Sequence, residues 1–309
     1  MFGAARGMAL ISVLWVSGLL AVIAASFVST TRTESRLARN QLENAKAQAL
    51  ADAGVQRAAL GLLEFEPARA WRADGRIYSF GLGDGEVRIV IQDEDGKIDI
   101  NEGPPELLEG LLVALDLDPD YARTMADRIA DYRDDDSEPE AQGAEDPAYI
   151  EAGRSEGAAD RPFMTVAELK KVLGMTEALY ERIRPHVTVH SGSDGVDPIR
   201  ATRAVLEALP GVTPEIAERF LSAGPDDDPL ELIEDDDILE QIDLFWLPSR
   251  EAMFTIRAEG LTRGGGRFLR EAVIELDGSP DQPFLIYAWR QGLGDLQPGR
   301  VRDANRGGG

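Results

Sequence analysis

The residues best suited to chemistry are oxygen ligands. Residues 131–169 read DYRDDDSEPEAQGAEDPAYIEAGRSEGAADRPFMTVAEL, so Asp134, Asp135, Asp136, Glu138, Glu145 and Asp146 stand close together with almost no balancing cation. A hard cation such as calcium takes roughly six to eight oxygens at about 2.3–2.6 Å, and carboxylates this dense repel one another unless an ion or open solvent relieves them. The spacing is not that of an EF-hand. The pattern alone therefore admits both a cation site and a solvated acidic loop. A second acidic run, Asp226 to Asp228 and Glu234 to Asp237, could hold another ion or solubilise the surface, and the second reading is favoured.

Other chemistry finds little footing. The chain has only two histidines, His186 and His190 in PHVTVHSG, whose alternation predicts one face of a short strand. No third ligand is spaced to complete a zinc site with them. No serine stands in a nucleophile elbow and no phosphate-binding loop is present, so no catalytic constellation is expected. Cysteine is absent, which removes thiolate chemistry, disulfides and lipidated cysteine together. Leu209-Pro210-Gly211-Val212 resembles a helix-hairpin-helix turn, whose backbone amides can meet a phosphate. Against a nucleic-acid role stand Glu207, Glu215 and Glu218 around that turn and a formal net charge of −24, which repels phosphates.

The elements that must position these groups follow from the pattern. An uncharged run from Met8 to Thr31 is long enough to span a bilayer core, which takes roughly 20 apolar residues as a helix. A secretory signal peptide would carry a shorter apolar core, about 7–15 residues, and close on a small-residue cleavage site. Here the pattern continues without proline from Arg32 through Glu64, so one long helix is expected. Its second half carries an apolar stripe through Leu37, Leu42 or Ala45, Ala49, Ala53, Gln56, Leu60 and Leu63. Lysine and arginine counts alone would orient the chain backwards, with Arg6 on one side and Arg32, Arg36, Arg39 and Lys46 on the other, but a long acidic domain translocates largely regardless.

Strands are expected at residues 77–80 and from Gly85, where Val87, Ile89 and Ile91 alternate with Glu86, Arg88 and Val90, and Asp95-Gly96 reads as a hairpin turn. Three helix–turn–helix stretches then follow, with turns at Leu117-Asp118-Pro119, Gly174-Met175-Thr176 and Pro210-Gly211-Val212. Strands return after Trp246 as a hairpin with its tip at Gly264 to Gly266, in which Phe254, Ile256 and Ala258 meet Ala272, Ile274 and Leu276. Residues 284–292 add or cover an edge, and the tail from 293 reads as disordered. The expected class is α+β: a long N-terminal transmembrane and amphipathic helix on a small antiparallel sheet, with a large all-helical inserted domain. The boundaries are 1–7 leader, 8–31 transmembrane helix, 32–101 helix and first strands, 102–244 insertion, 245–292 returning strands and 293–309 tail.

A hydrophobic helix starting one residue after a glycine, behind a short leader containing Arg6, resembles the amino terminus of type IV pilin-like proteins. The resemblance implies that a prepilin peptidase cuts after Gly7 and that Met8 becomes the methylated first residue. Most relatives begin with Phe and carry Glu at the fifth mature position, where Ser12 stands here. A carboxylate in hydrocarbon is expensive unless paired, and its absence resembles the K-class minor pseudopilins of type II secretion. The motifs in the acidic stretch resemble that family as well: Asp131, Asp134 to Asp136, Gly143-Ala144-Glu145-Asp146, Tyr149, Arg161-Pro162-Phe163 and Glu168-Leu169.

The resemblance implies calcium in the inserted domain, and Asp134, Asp136, Glu145 and Asp146 are its candidate ligands. It implies a structural, non-enzymatic protein at the tip of the secretion pseudopilus, which helps initiate assembly and export across the outer membrane. Its site would be the bacterial inner membrane, crossed once, with the C-terminal domain in the periplasm. The expected partners are the I- and J-class minor pseudopilins and the inner-membrane assembly platform, with no nucleic acid. The other readings are a membrane-anchored helix-hairpin-helix protein that handles DNA and a calcium-dependent periplasmic enzyme.

Overall fold

The computed structural model describes residues 4–222 except 65, 67 and 68, then 233, 238–239, 242, 244–247, 250, 252–277, 279, 281–292 and 296; in the first helix, side chains are described for 13–23, 26–27 and from 34 onward. That helix, α1 (Ala4–Leu62), runs unbroken for 59 residues. Among the described residues no helix is long and apolar enough to cross a membrane. The run from Met8 to Thr31 lies partly outside the described side chains.

The seam that holds α1 to the rest is made of small residues. Ala47, Ala51, Val55, Ala58 and Ala59 are fully buried, whereas Leu37, Leu42 and Leu60 are exposed, as are Ala45, Ala49 and Gln56. The stripe read from the sequence is therefore corrected by part of a turn. Size, not hydrophobicity, selects the buried face, because the backbones approach too closely for leucine. A Cβ on Gly54 would sit 2.8 Å from Val87 Cγ1 and 2.9 Å from Ala258 Cβ, and one on Gly260 would sit 2.1 Å from the Ala47 carbonyl oxygen.

Beyond α1, Trp71 stacks on Tyr78 with ring centroids 4.3 Å apart and turns the chain into β1 (Asp74–Leu82) and β2 (Gly85–Asp93). The hairpin turn lies at Gly83 and Asp84, with Gly83 at φ +60, not at Asp95-Gly96 as expected. Asp95 and Gly96 belong to a 3-10 turn capped by the Asp93 side chain. Gly96 is there for close approach, since its Cβ would lie 2.5 Å from the Arg200 backbone. After the turn comes β3 (Ile98–Asp99).

The inserted domain holds α2 (Pro105–Ala114), α3 (Pro119–Arg133), α4 (Asp146–Glu151), α5 (Glu177–Ile183), β4 (Val187–Thr188), α6 (Arg203–Ala208) and α7 (Pro214–Ser222). Its core packs Leu107, Leu108, Leu111 and Leu112 of α2 against Met125 and Ile129 of α3 and against Val205 and Leu206 of α6. Two features depart from an all-helical insertion. Residues 166–171 form only a 3-10 turn, and β4 pairs in parallel with β3, which ties the insertion to its entry point.

The chain returns through β5 (Met253–Thr262), β6 (Arg267–Leu276) and β7 (Phe284–Gln291). The sheet has the order β1-β2-β5-β6-β7, all antiparallel, so residues 284–291 form an edge strand. Its α1-facing side collects the expected period-two residues, Val87, Ile89 and Ile91 with Phe254, Ile256, Ala258, Ala272 and Ile274.

Candidate functional site

The carboxylates gather where α3 ends. Asp118 caps its start by accepting from the Asp120 and Tyr121 amides at 3.1 and 3.3 Å. At the other end Arg133 donates to the Ile100 and Gly103 carbonyls at 2.5 and 2.9 Å, which locks the last turn onto the exit of β3. Asp131 and Asp134, three residues apart, share one face of that last turn.

The loop then folds back over Asp131. That residue is fully buried, and its Oδ1 accepts from the Glu140 amide at 3.0 Å. Gly143 is required here, because a Cβ would lie 1.8 Å from Asp131 Oδ2. Behind the loop, Tyr132 and Phe163 stack at 5.0 Å, and the Tyr149 hydroxyl accepts from the Leu173 amide at 3.1 Å. Asn101 clamps Phe163 on both sides, accepting from its amide at 2.7 Å and donating to its carbonyl at 3.0 Å. These contacts seat the tyrosine and the Arg-Pro-Phe segment behind the acidic loop.

Asp134, Asp136 and Glu145 each present an oxygen within 4.8 Å of the others. Of this group, Asp134 Oδ1 and Glu145 Oε1 are buried without a hydrogen-bond partner, and Asp131 Oδ2, one turn earlier on α3, is buried without one as well. Burial pushes the Glu145 carboxyl up to about 7, helped by the charges of Asp131 and Asp134. Burial also raises Asp131 and Asp134, and for Asp134 the charges of Asp136 and Asp131 add to the effect. The donor set consists of hard oxygens with free lone pairs and mutual repulsion, which fits a divalent cation of the calcium class.

Asp146 is not in this group. It opens α4, and its Oδ1 accepts from the Ala158 amide at 3.1 Å, with Gly157 packed so closely that a Cβ there would lie 1.6 Å away. A buried, unpartnered oxygen outside the sequence ligand set is Asp131 Oδ2, whose charge helps raise Glu145. Its signal was a lone carboxylate beside the apolar face of α3, three residues before Asp134.

The histidines do not share a strand face. His186 lies in the turn before β4, with Nδ1 2.8 Å from Thr202 Oγ1, and burial pushes it down to about 4. His190 lies beyond the strand, edge-on to Tyr287 with centroids 6.1 Å apart. Around Gly211, at φ +77, Arg203 is taken by Glu207 and Glu218. The Gly7 and Met8 side chains, Asp226 to Asp228 and Glu234 to Asp237 lie outside the described residues.

Comparison with known proteins supplies the context. The family profile described as type II secretion system (T2SS), protein K, matches residues 88–192, the span that contains the carboxylate cluster. The chain is 29% identical over 231 residues to the type II secretion system protein K of Klebsiella pneumoniae, covering 66% of this chain and 70% of that protein. It is 30% identical over 242 residues to the protein of the same name from Pseudomonas aeruginosa, covering 71% of this chain and 72% of the relative. The fold is similar to a chain in the crystal structure of the GspK-GspI-GspJ complex from enterotoxigenic Escherichia coli, with a TM-score of 0.58, 20% identity and coverage of 85% of this chain and 99% of that one. The long helix seated on an antiparallel sheet, the helical insertion and the extent of identity lead to one assignment: this chain belongs to the type II secretion system protein K family.

Proposed function

We propose that the protein is a structural minor pseudopilin, anchored once in the bacterial inner membrane by residues 8–31, with residues beyond α1's apolar run in the periplasm. Prepilin peptidase cuts after Gly7 and leaves Met8 as the methylated first residue. The observation that carries the reading is the division of labour along α1. Its first half turns Leu14, Trp15, Leu19, Val22 and Ile23 outward, as a helix surrounded by lipid would, while its second half is seated on the sheet. Amino-terminal sequencing of the chain recovered from membranes should begin at Met8. An intact or differently cut chain contradicts the reading.

Placement at the pseudopilus tip rests on two features. Ser12 supplies no carboxylate to a neighbouring subunit's amine, and the insertion between β3 and β5 outweighs the rest of the globular part. A body of that size leaves no room for a subunit stacked above. Exposed Leu37, Leu42 and Leu60 are then available to I- and J-class minor pseudopilins and to the assembly platform, through which the protein helps initiate the pseudopilus and the export of folded proteins.

In the insertion, Asp131, Asp134, Asp136 and Glu145 would hold calcium, with carbonyls and water completing its shell. The ion supplies the positive charge that lets these carboxylates stay ionised side by side. Asp146, committed to Ala158, shapes the loop instead of binding. Loss of calcium should loosen residues 134–145 and leave the sheet intact.

A further inference from the structure

Where the sheet meets the inserted domain lies a cavity of about 260 Å³ whose lining includes Lys97, Arg184, Arg257 and Arg290 but only two carboxylates, Glu94 and Glu271. In a chain of net charge −24 this is a local surplus of two positive charges. Glu94 is already committed, bonded to Lys97, Thr188 and Thr255. Burial pulls its carboxyl upward, but the Lys97 ammonium and the two hydroxyls hold it below its ordinary value.

Glu271 is therefore shared by three guanidinium groups. Arg290 reaches it at 2.7 and 2.9 Å, Arg257 Nε at 3.5 Å and Arg184 Nη1 at 3.8 Å. The last two distances are too long for good hydrogen bonds. Arg184 Nε is buried without a hydrogen-bond partner, and Arg184 Nη2 finds only the more exposed Glu181, at 3.4 Å. The other nearby carboxylate, Glu275, is engaged by the Tyr287 hydroxyl at 2.6 Å. His190, on the cavity wall, is pushed toward its neutral form by burial. The Arg290 side chain is half exposed, which leaves a way in.

Guanidinium forks match carboxylates in plane and spacing. We propose that this cavity binds a carboxylate, borne either by a small dicarboxylic acid or by an acidic side chain of a bound polypeptide, with Arg184 and Arg290 as its forked donors. Neither the calcium cluster nor the exposed face of α1 is involved.

Isothermal titration of the full chain in detergent tests this with two probes, succinate and a terminally blocked tetraglutamate peptide. Saturable heat from succinate assigns the site to a free acid, and saturable heat from the peptide alone assigns it to a polypeptide. The R184Q variant, which gives up little within the protein, should bind about tenfold more weakly with an unchanged melting temperature; R290Q should also weaken binding, but with a lower melting temperature, because it gives up the pair with Glu271. The E271Q variant removes the competing carboxylate, so it should bind more tightly and its melting temperature should rise more on adding the probe than that of the native chain. No heat from either probe at millimolar concentration, or native affinity in both R184Q and R290Q, would overturn the proposal.

Discussion

Along the seam between α1 and the sheet, Ala47, Ala51, Gly54 and Val55 meet Val87, Ala258 and Gly260 with no space to spare. The charges beside the seam are paired, Arg270 with Asp52 at 2.6 Å and Glu259 with both Arg88 and Arg267. At the end of α3 and in the loop after it, Asp131, Asp134 and Glu145 instead each bury one oxygen without a hydrogen-bond partner. Unmet buried polar groups are costly. The contrast teaches that one layer is complete as a protein alone, while the other is complete only with protons or a cation.

The largest effect should come from breaking the complete layer. A valine at Gly260 would place Cβ 2.1 Å from the Ala47 oxygen and should destabilise the chain by about 3 kcal/mol. Thermal unfolding of the full chain in detergent reads this loss, which calcium should not restore. If calcium rescued it, the two regions would not be independent.

Calcium itself should give the next largest effect. At a free concentration a hundredfold above the dissociation constant, binding stabilises the folded state by about 2.7 kcal/mol. The melting temperature should therefore be higher in calcium than in chelator, and D134N or E145Q should abolish the difference. Asp131→Asn should do the same, although Asp131 was not among the ligands expected from sequence. D146N should preserve the calcium response while lowering both curves, since it loosens the bond to Ala158. Coincident curves for the native chain would return the loop to ordinary solvated surface.

The pH dependence sharpens the comparison further. Glu145 rises from 4.5 to about 7 in the fold, so the metal-free folded chain holds this proton more tightly than the unfolded chain does. Its contribution to stability is therefore lost as pH rises from about 4.5 to about 7 and stays lost above that. E145Q in chelator should remove this fall. Calcium needs the ionised carboxylates, so its stabilisation should grow over the same window. A calcium increment that shrinks as pH rises would contradict the site.

Much of this was legible in the sequence, for identifiable reasons. Period-two alternation at Val87, Ile89 and Ile91 and at Phe254, Ile256 and Ala258 survives because one face of the sheet is buried. The α1 seam was misread because helical periodicity weights large apolar residues, whereas close backbone approach selects alanine and glycine. The hairpin was misplaced because Asp-Gly signals a turn locally, while Gly96 exists to admit Arg200. In the site, density of charge pointed to Asp134, Asp136 and Glu145. It could not separate Asp146, which faces Ala158, from Asp131, which burial brings inward.

The smallest effect on the fold should come from the exposed face of α1. Replacing Leu42 and Leu60 by serine should change stability by less than about 0.5 kcal/mol each, since both are exposed, yet it should weaken association with the other minor pseudopilins. A large loss of stability would show that this face packs within the protein.

The most direct test of the account is the mass, by light scattering, of the full chain in detergent, alone and mixed with the I- and J-class minor pseudopilins. The account predicts a monomer alone and a complex containing one copy of each protein in the mixture. A homopolymer, or no association at high concentration, would contradict the assignment to the tip.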